Sequence, residues 1–157
     1  IFTDLINTLK IEDEIQQKKF KDDYQKLMVN LLYTSNWINA HFEQLFKGSD
    51  ITLQQYNVLR ILRGQFPNPS SIKLIKERML DRMSDASRIV DKLVAKKLVM
   101  RKQSDCDKRS VDVIISDTGL NLLQSLDVLD EKPKELLKSL SQAEITELNN
   151  LLDKLRG

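Results

Sequence analysis

The residues best equipped for chemistry lie between Arg60 and Arg109. This stretch holds 14 Lys+Arg against 6 Asp+Glu, a net of +8, while the rest holds 11 against 17, a net of −6. A basic middle between acidic ends is an electrostatic footprint for a polyanion, and the plain alternative is a solvated surface with accidental clustering. Ser84, Ser87, Arg88 and Lys92 stand close together in it, and Asp107, Lys108 and Arg109 follow as an acid and two bases. Such residues suit phosphate, which is held by Lys, Arg, hydroxyls and backbone N–H groups. Other chemistries are poorly provided for. There is no Gly-rich phosphate loop, zinc-protease pattern or nucleophile elbow, and the carboxylates are spread along helix faces. His41 is the single histidine, so a metal site built on several imidazoles is excluded. Cys106 is the single cysteine, so an internal disulfide is excluded too. It is flanked by Asp105 and Asp107, the opposite of the cationic setting a reactive thiolate needs. Neither an enzyme nor a bound metal or cofactor is expected.

The elements that must position these residues follow from apolar spacing. The chain has 157 residues, 41% hydrophobic and 31% charged, enough for a core and balanced like a globular domain. No apolar run approaches the ~20 residues of a membrane span, and no basic-then-apolar signal segment opens the chain. A cytoplasmic protein is expected. Residues 11–47 read as one long helix, with Tyr24, Leu27, Leu31, Ile38, Phe42 and Leu45 on one side and Gly48 as its stop. A helix of ~35 residues spans roughly 50 Å, more than a small domain covers alone, which suggests a second copy of the chain; the alternative is two shorter helices with a break between them. Thr52 and Gln55 make a capping box for the next helix, which Gly64 ends. A loop follows at 67–71, then a short helix to Met79 with Leu74, Ile75 and Met79 inward. Residues 81–97 read as another helix. Ala86, Ile89, Val90, Leu93 and Val94 share one side, opposite Ser84, Arg88, Asp91 and Ala95, with Ser87 and Lys92 flanking.

Two strands are expected at 98–103 and 111–115, joined by a polar loop, 104–110, long enough to project. A helix from Asp117 to about Asp130 follows, and Pro133 breaks or restarts it. Ser141 and Glu144 cap a last helix with Ile145, Leu148, Leu152 and Leu155 as its stripe. The middle therefore reads helix, helix, helix, strand, loop, strand. That order is a winged helix-turn-helix, whose physics suits duplex DNA. A helix fits the major groove, and a basic hairpin tip reaches the minor groove.

At this point the residues resemble the MarR family of transcriptional regulators. The segment 51–119 carries the likeness. ITLQQYNVL from Ile51 resembles the opening of the family's second helix, and SDASRIVDKL from Ser84 its recognition helix. Leu98-Val99, then Asp107-Lys108-Arg109, resemble the first wing strand and the wing tip, and Ser116-Asp117-Thr118-Gly119 the start of the next helix. The resemblance implies a mainly α fold with a small β-hairpin wing and an intertwined helical homodimer. It implies a pseudo-palindromic operator and repression relieved by a ligand or an oxidant. Residues 1–50 would be a dimerisation helix, 51–116 the DNA-binding lobe and 117–157 the C-terminal dimerisation helices of one compact domain. Ser84, Ser87 and Arg88 would meet the major groove and its phosphates, with Lys92 beside them. Arg109 would enter the minor groove, oriented by Asp107, and Lys108 would add phosphate attraction. Tyr33, Trp37, His41 and Tyr56 would line a pocket for a small aromatic or anionic effector, although ordinary core is the simpler reading.

Two positions depart from the family pattern. Lys97 stands where many members have Gly, so it either adopts a left-handed conformation or the turn differs. Asp85 lies in the first turn of the recognition helix, where an acid would repel phosphate. Interaction with the helix N-terminus is favoured over acceptance from a cytosine amino group. Two rivals to a DNA reader are a winged-helix protein-interaction module and an enzyme on a small aromatic compound. The first often lacks basic residues on the recognition face, and this chain keeps Arg88, Lys92, Lys108 and Arg109.

Overall fold

The computed structural model describes residues 9–103, 111–127 and 131–157. The chain divides into two compact units, Ile1–Asp50 and Ile51–Gly157.

In the first unit the long helix expected over 11–47 is two helices. α1 (Ile11–Glu14) is a single turn, and α2 (Asp23–Leu45) is the long element. No Gly or Pro makes the break. Gln16 takes φ 54°, a left-handed conformation that ends a helix. Asp22 then restarts one, its carboxylate accepting from the Gln25 N–H at 2.8 Å. The Gln25 side chain accepts from the Lys21 N–H at 2.7 Å. The turn of α1 is tied to α2 by Lys26, whose Nζ lies 2.6 Å from Glu12 Oε1, and by the Tyr33 hydroxyl, which donates to Glu14. The Glu14 carboxylate holds the Tyr33 phenol above its ordinary pKa, because the hydrogen bond favours the protonated form. With 23 residues α2 spans about 34 Å. None of its residues is buried, and Tyr24, Leu27, Met28 and Leu32 are exposed.

The second unit opens with α3 (Leu53–Arg63), capped by the expected Thr52–Gln55 box. Ser70–Ser71 form β1, a two-residue strand where a loop is expected. Its pairing partner is distant in sequence, so local spacing carries no sign of it. α4 (Ile72–Arg78) follows, then α5 (Ala86–Ala95), β2 (Val99–Gln103), β3 (Val111–Ile115) and α6 (Asp117–Leu126). The sheet is antiparallel with β3 central, in the order β1-β3-β2. Ser70 faces Val113, and Val99 to Gln103 face Ile115 to Val111. The core is the apolar faces of α3, α4, α5 and α6 on this sheet. Val58, Leu59, Leu62, Ile75, Val90, Leu93, Val113 and Leu123 are almost wholly buried. α7 (Lys132–Leu136) restarts after residue 130 with Pro133 in its first turn. α8 (Gln142–Arg156) has the full Ser141–Glu144 capping box. The architecture is mainly helical with a small three-stranded sheet, the winged helix-turn-helix expected from the order of elements.

Candidate nucleic-acid interface

The helix expected to be the recognition element is α5, and it begins later than expected. Residues 81–85 form a turn instead of the first helical turn. Asp81 holds that turn: its Oδ1 accepts from the Met83 N–H at 2.9 Å and its Oδ2 from the Ser84 hydroxyl at 2.6 Å. These bonds, the Ser84 one first, lower the Asp81 pKa by stabilising the carboxylate. Asp85 then caps α5, accepting from the Arg88 N–H at 3.1 Å. The acid in the recognition segment is thus used on the helix N-terminus, the favoured expectation. Short polar side chains compete with the helix for backbone partners, and two successive Asp turns move the start to Ala86.

From Ala86 the expected division of faces holds. Ala86, Val90 and Leu93 are buried, while Ser87, Arg88, Asp91, Lys92 and Ala95 are exposed. At the far end Lys97 takes φ 61°, the left-handed conformation required of it. Its N–H donates to the Val94 carbonyl at 2.9 Å, and the Leu98 N–H to that of Leu93 at 3.0 Å. This is a Schellman stop built without glycine. The buried Leu98 then leads into β2.

The wing base is locked onto this stop. The Ser116 hydroxyl donates to the Lys97 carbonyl at 2.8 Å, and the Ser116 N–H to that of Leu98 at 3.1 Å. Ser116 also caps α6, accepting from the Gly119 N–H at 3.1 Å. Gly119 is needed for packing: a Cβ there would stand 2.2 Å from the Leu98 carbonyl oxygen and 2.8 Å from Ile115 Cγ1. A second tie crosses from β2 to α5. Arg101 Nη2 lies 2.7 Å from Asp91 Oδ1 and donates to the Ser87 carbonyl at 3.5 Å. Arg101 is absent from the residues singled out in the sequence, because its partners belong to a helix and only the folded β2 brings them together. A third tie joins α3 to the end of α5, with Lys96 Nζ donating to the buried Gln55 side chain at 3.4 Å.

Of the expected DNA contacts, Ser87, Arg88 and Lys92 share the exposed side of one helix. Ser84 sits in the turn before it, half-buried, with its hydroxyl engaged by Asp81. Asp107, Lys108 and Arg109, and Cys106 beside them, lie outside the described residues. Lys73, Lys76, Glu77 and Arg82 line a groove of about 310 Å³ along α4 and the turn after it. These three cations were missed, since their spacing along the chain does not group them. The aromatic set is divided. Tyr33, Trp37 and His41 follow one another at four-residue steps on α2, with the Trp37 and His41 rings 4.3 Å apart. His41 Nδ1–H donates to the Trp37 carbonyl at 2.8 Å. Tyr56, on α3, accepts from Arg60 Nη1 at 3.0 Å, and that guanidinium lies 5.7 Å from the Tyr56 ring centre. Among the described residues no helix is long and apolar enough to cross a membrane, and no group of three His, Cys, Asp or Glu is placed to hold a metal.

Residues 49–110 match the model of the MarR family. The MarR transcription factor of Planctomyces limnophilus is 29% identical, with a TM-score of 0.64 over 86% of this chain and 98% of its own. A cysteine-to-serine mutant of MarR from E. coli, complexed with operator DNA, is 26% identical, with a TM-score of 0.69 over 80% and 91%. BpsR of Bordetella bronchiseptica, whose DNA binding is regulated by 6-hydroxynicotinic acid, is 24% identical, with a TM-score of 0.69 over 83% and 99%. No match was found among curated proteins.

Proposed function

The chain carries a MarR-family segment at residues 49–110 within the fold of that family's winged-helix regulators, and from this premise we propose that it is a sequence-specific reader of duplex DNA that acts as a dimeric repressor. It regulates transcription rather than catalysing a reaction, and works in the cytoplasm, where the DNA is. The observation that carries the reading is α5 itself. One side is sealed into the core through Ala86, Val90 and Leu93, and the other offers Ser87, Arg88 and Lys92 to a polyanion. A helix so anchored lays those side chains in the major groove, with Ser84 beside them at the groove and its phosphates. Arg109 at the wing tip reaches the minor groove with Asp107 orienting it, and Lys108 adds attraction to phosphate.

Dimerisation is supported by apolar surface without cover. α2 buries none of its residues, and Leu148, Leu151 and Leu155 of α8 are exposed. Residues 1–50 and 117–157 are accordingly the dimerisation segments and 51–116 the DNA-binding lobe. Two recognition helices related by a two-fold axis then meet a pseudo-palindrome with half-sites about one helical turn, ~34 Å, apart. The effector is a small aromatic or anionic compound, with Tyr33, Trp37 and His41 on α2 and Tyr56 on α3 as the candidate contacts, each set taken by itself. The regulation of BpsR by 6-hydroxynicotinic acid supports that class. Such a ligand releases DNA only through its differential affinity for the two states of the dimer.

The test is selection from a random duplex pool, with the salt dependence of the selected sequence. An enriched inverted repeat is expected, its log affinity falling by about 0.9 per neutralised phosphate per decade of salt. Absence of enrichment together with a flat salt response overturns the proposal in favour of a protein-interaction module.

A further inference from the structure

We infer that Leu80 and Met83 are specificity-determining residues that read the C5-methyl groups of thymine beside α5, a reading that rests on the DNA-binding function proposed above. Met83 is 94% exposed and Leu80 84%, the largest exposures among the large hydrophobic side chains of the described residues. Both stand in the turn that delivers the recognition helix, and the turn is firmly built. The Leu80 N–H donates to Asn57 Oδ1 of α3 at 3.1 Å. Asp81 fixes Met83 and Ser84, and Asp85 two residues after Met83 caps the helix. Two apolar side chains are therefore held in water by a turn whose Leu80, Met83 and Ser84 N–H groups are engaged, which points to a partner that covers them.

The surroundings say what that partner is. Arg82 stands between the two, Lys73, Lys76 and Arg82 line the adjoining groove with Glu77 as its one acid, and Arg88 is exposed on the first turn of α5. A second copy of the chain seated here about a two-fold axis would bring these cations against themselves. Asp81 and Asp85 offset them only in part: both carboxylates turn their oxygens onto the chain's own N–H and hydroxyl groups and so do not offer them to a partner's cations. Duplex DNA satisfies both halves of the surface at once. Its phosphates meet the cations, and thymine alone among the bases offers an apolar group in the major groove. Met is suited to the task, since its unbranched side chain adapts its shape to the surface it covers.

The experiment uses the full chain and the duplex selected from the random pool, with each thymine replaced in turn by deoxyuridine. Loss of one methyl from an apolar contact is expected to weaken binding about fourfold at one or two positions in each half-site. Met83→Ala and Leu80→Ala should bind the thymine duplex more weakly and lose the response to deoxyuridine at their own positions, whereas Met83→Leu keeps it. Both side chains are exposed, so the variants should melt at the wild-type temperature, and the deoxyuridine series needs no variant at all. A selected duplex indifferent to deoxyuridine everywhere, or an undiminished response in both alanine variants, overturns this inference and leaves DNA binding standing. A fall in oligomeric mass in either variant assigns the patch to a second copy and overturns it as well. If no duplex is selected, the DNA-binding reading falls and this one with it.

Discussion

Replacing Gly119 by alanine puts the junction of wing and core to the test. Gly119 lies in the first turn of α6, where alanine is ordinarily the better helix former by about 0.8–1 kcal/mol. Propensity alone thus predicts stabilisation. Packing predicts the reverse. The added Cβ would stand 2.2 Å from the Leu98 carbonyl oxygen, far inside van der Waals contact, and 2.8 Å from Ile115 Cγ1. Ile115 is a side chain and can turn, but Leu98 O is backbone. It is also held by the Ser116 N–H, one residue beyond the Lys97 carbonyl that accepts from the Ser116 hydroxyl. Relief therefore requires the start of β2 to move away from α6 and to lengthen both bonds. Overpacking of this kind costs about 1–3 kcal/mol, which exceeds the gain in propensity over most of its range. A net loss of about 1 kcal/mol, rising to about 2 at the upper end, should lower the melting temperature by roughly 2–8 °C in a domain of this size. Gly64→Ala is the matched control. Its Cβ would find only the Ile61 and Arg60 carbonyl oxygens, at 3.5 and 3.6 Å, and its backbone is already helical. That variant should be neutral or more stable by up to about 1 kcal/mol. Both are read by thermal and urea denaturation followed by circular dichroism. If Gly119→Ala melts at or above the wild-type temperature, the close approach of α6 to Leu98 is not what fixes the wing base.

Lys97→Gly should raise stability by about 0.5–1 kcal/mol in urea unfolding, because glycine takes the left-handed conformation of the Schellman stop without the steric cost. Arg101→Ala should change stability by less than about 1 kcal/mol, since the Asp91 pair is largely solvated, yet weaken DNA binding by freeing a carboxylate on the recognition face. The binding defect should shrink at high salt in a titration of operator affinity. Arg109→Ala should weaken operator binding by about 1–3 kcal/mol at physiological salt, and unchanged affinity would remove the wing from the interface. Asp81 and Glu144 have folded-state pKa values below the ordinary carboxylate range, so their contribution to stability is present above that range and is lost as pH falls through the lowered values. NMR titration of the two carboxyl carbons should show both midpoints displaced to acid, and Ser84→Ala should return that of Asp81 towards its ordinary value.

Much of this arrangement was legible along the chain because it depends on local signals. Thr52 with Gln55 and Ser141 with Glu144 announce helix starts within four residues, and both boxes form as read. The apolar side of 86–94 needed only helical periodicity. Lys97 was legible as a conformational oddity because an unusual residue stood where a stop was required. The failures share another cause. The break at Gln16 stands in the sequence only as the alternative to one long helix, because no Gly or Pro marks it, although Asp22 and Gln25 spell out a fresh helix start. Residues 81–85 carry a helical pattern yet form a turn, because apolar spacing does not register two Asp side chains bonding nearby backbone. β1 and Arg101 were beyond reach, since Ser70 pairs with Val113 and Arg101 with Asp91 only after the fold has formed.

That distinction bears on how an acidic residue can sit in a DNA-reading helix. Counted along the sequence, Asp85 and Asp91 cancel Arg88 and Lys92, and α5 with its cap has no net charge to offer a phosphate. The folded chain resolves the cancellation by spending each acid internally. Asp85 is consumed by the helix N-terminus, where the unpaired N–H groups and the dipole favour a negative charge. Asp91 is consumed by Arg101, a cation borrowed from the neighbouring strand. The acids thus fix where the helix starts and how it sits on the wing, and the bases keep their charge for a partner. Position and attraction are divided between oppositely charged residues on one helix, so the sign of a side chain there indicates which of the two tasks it performs.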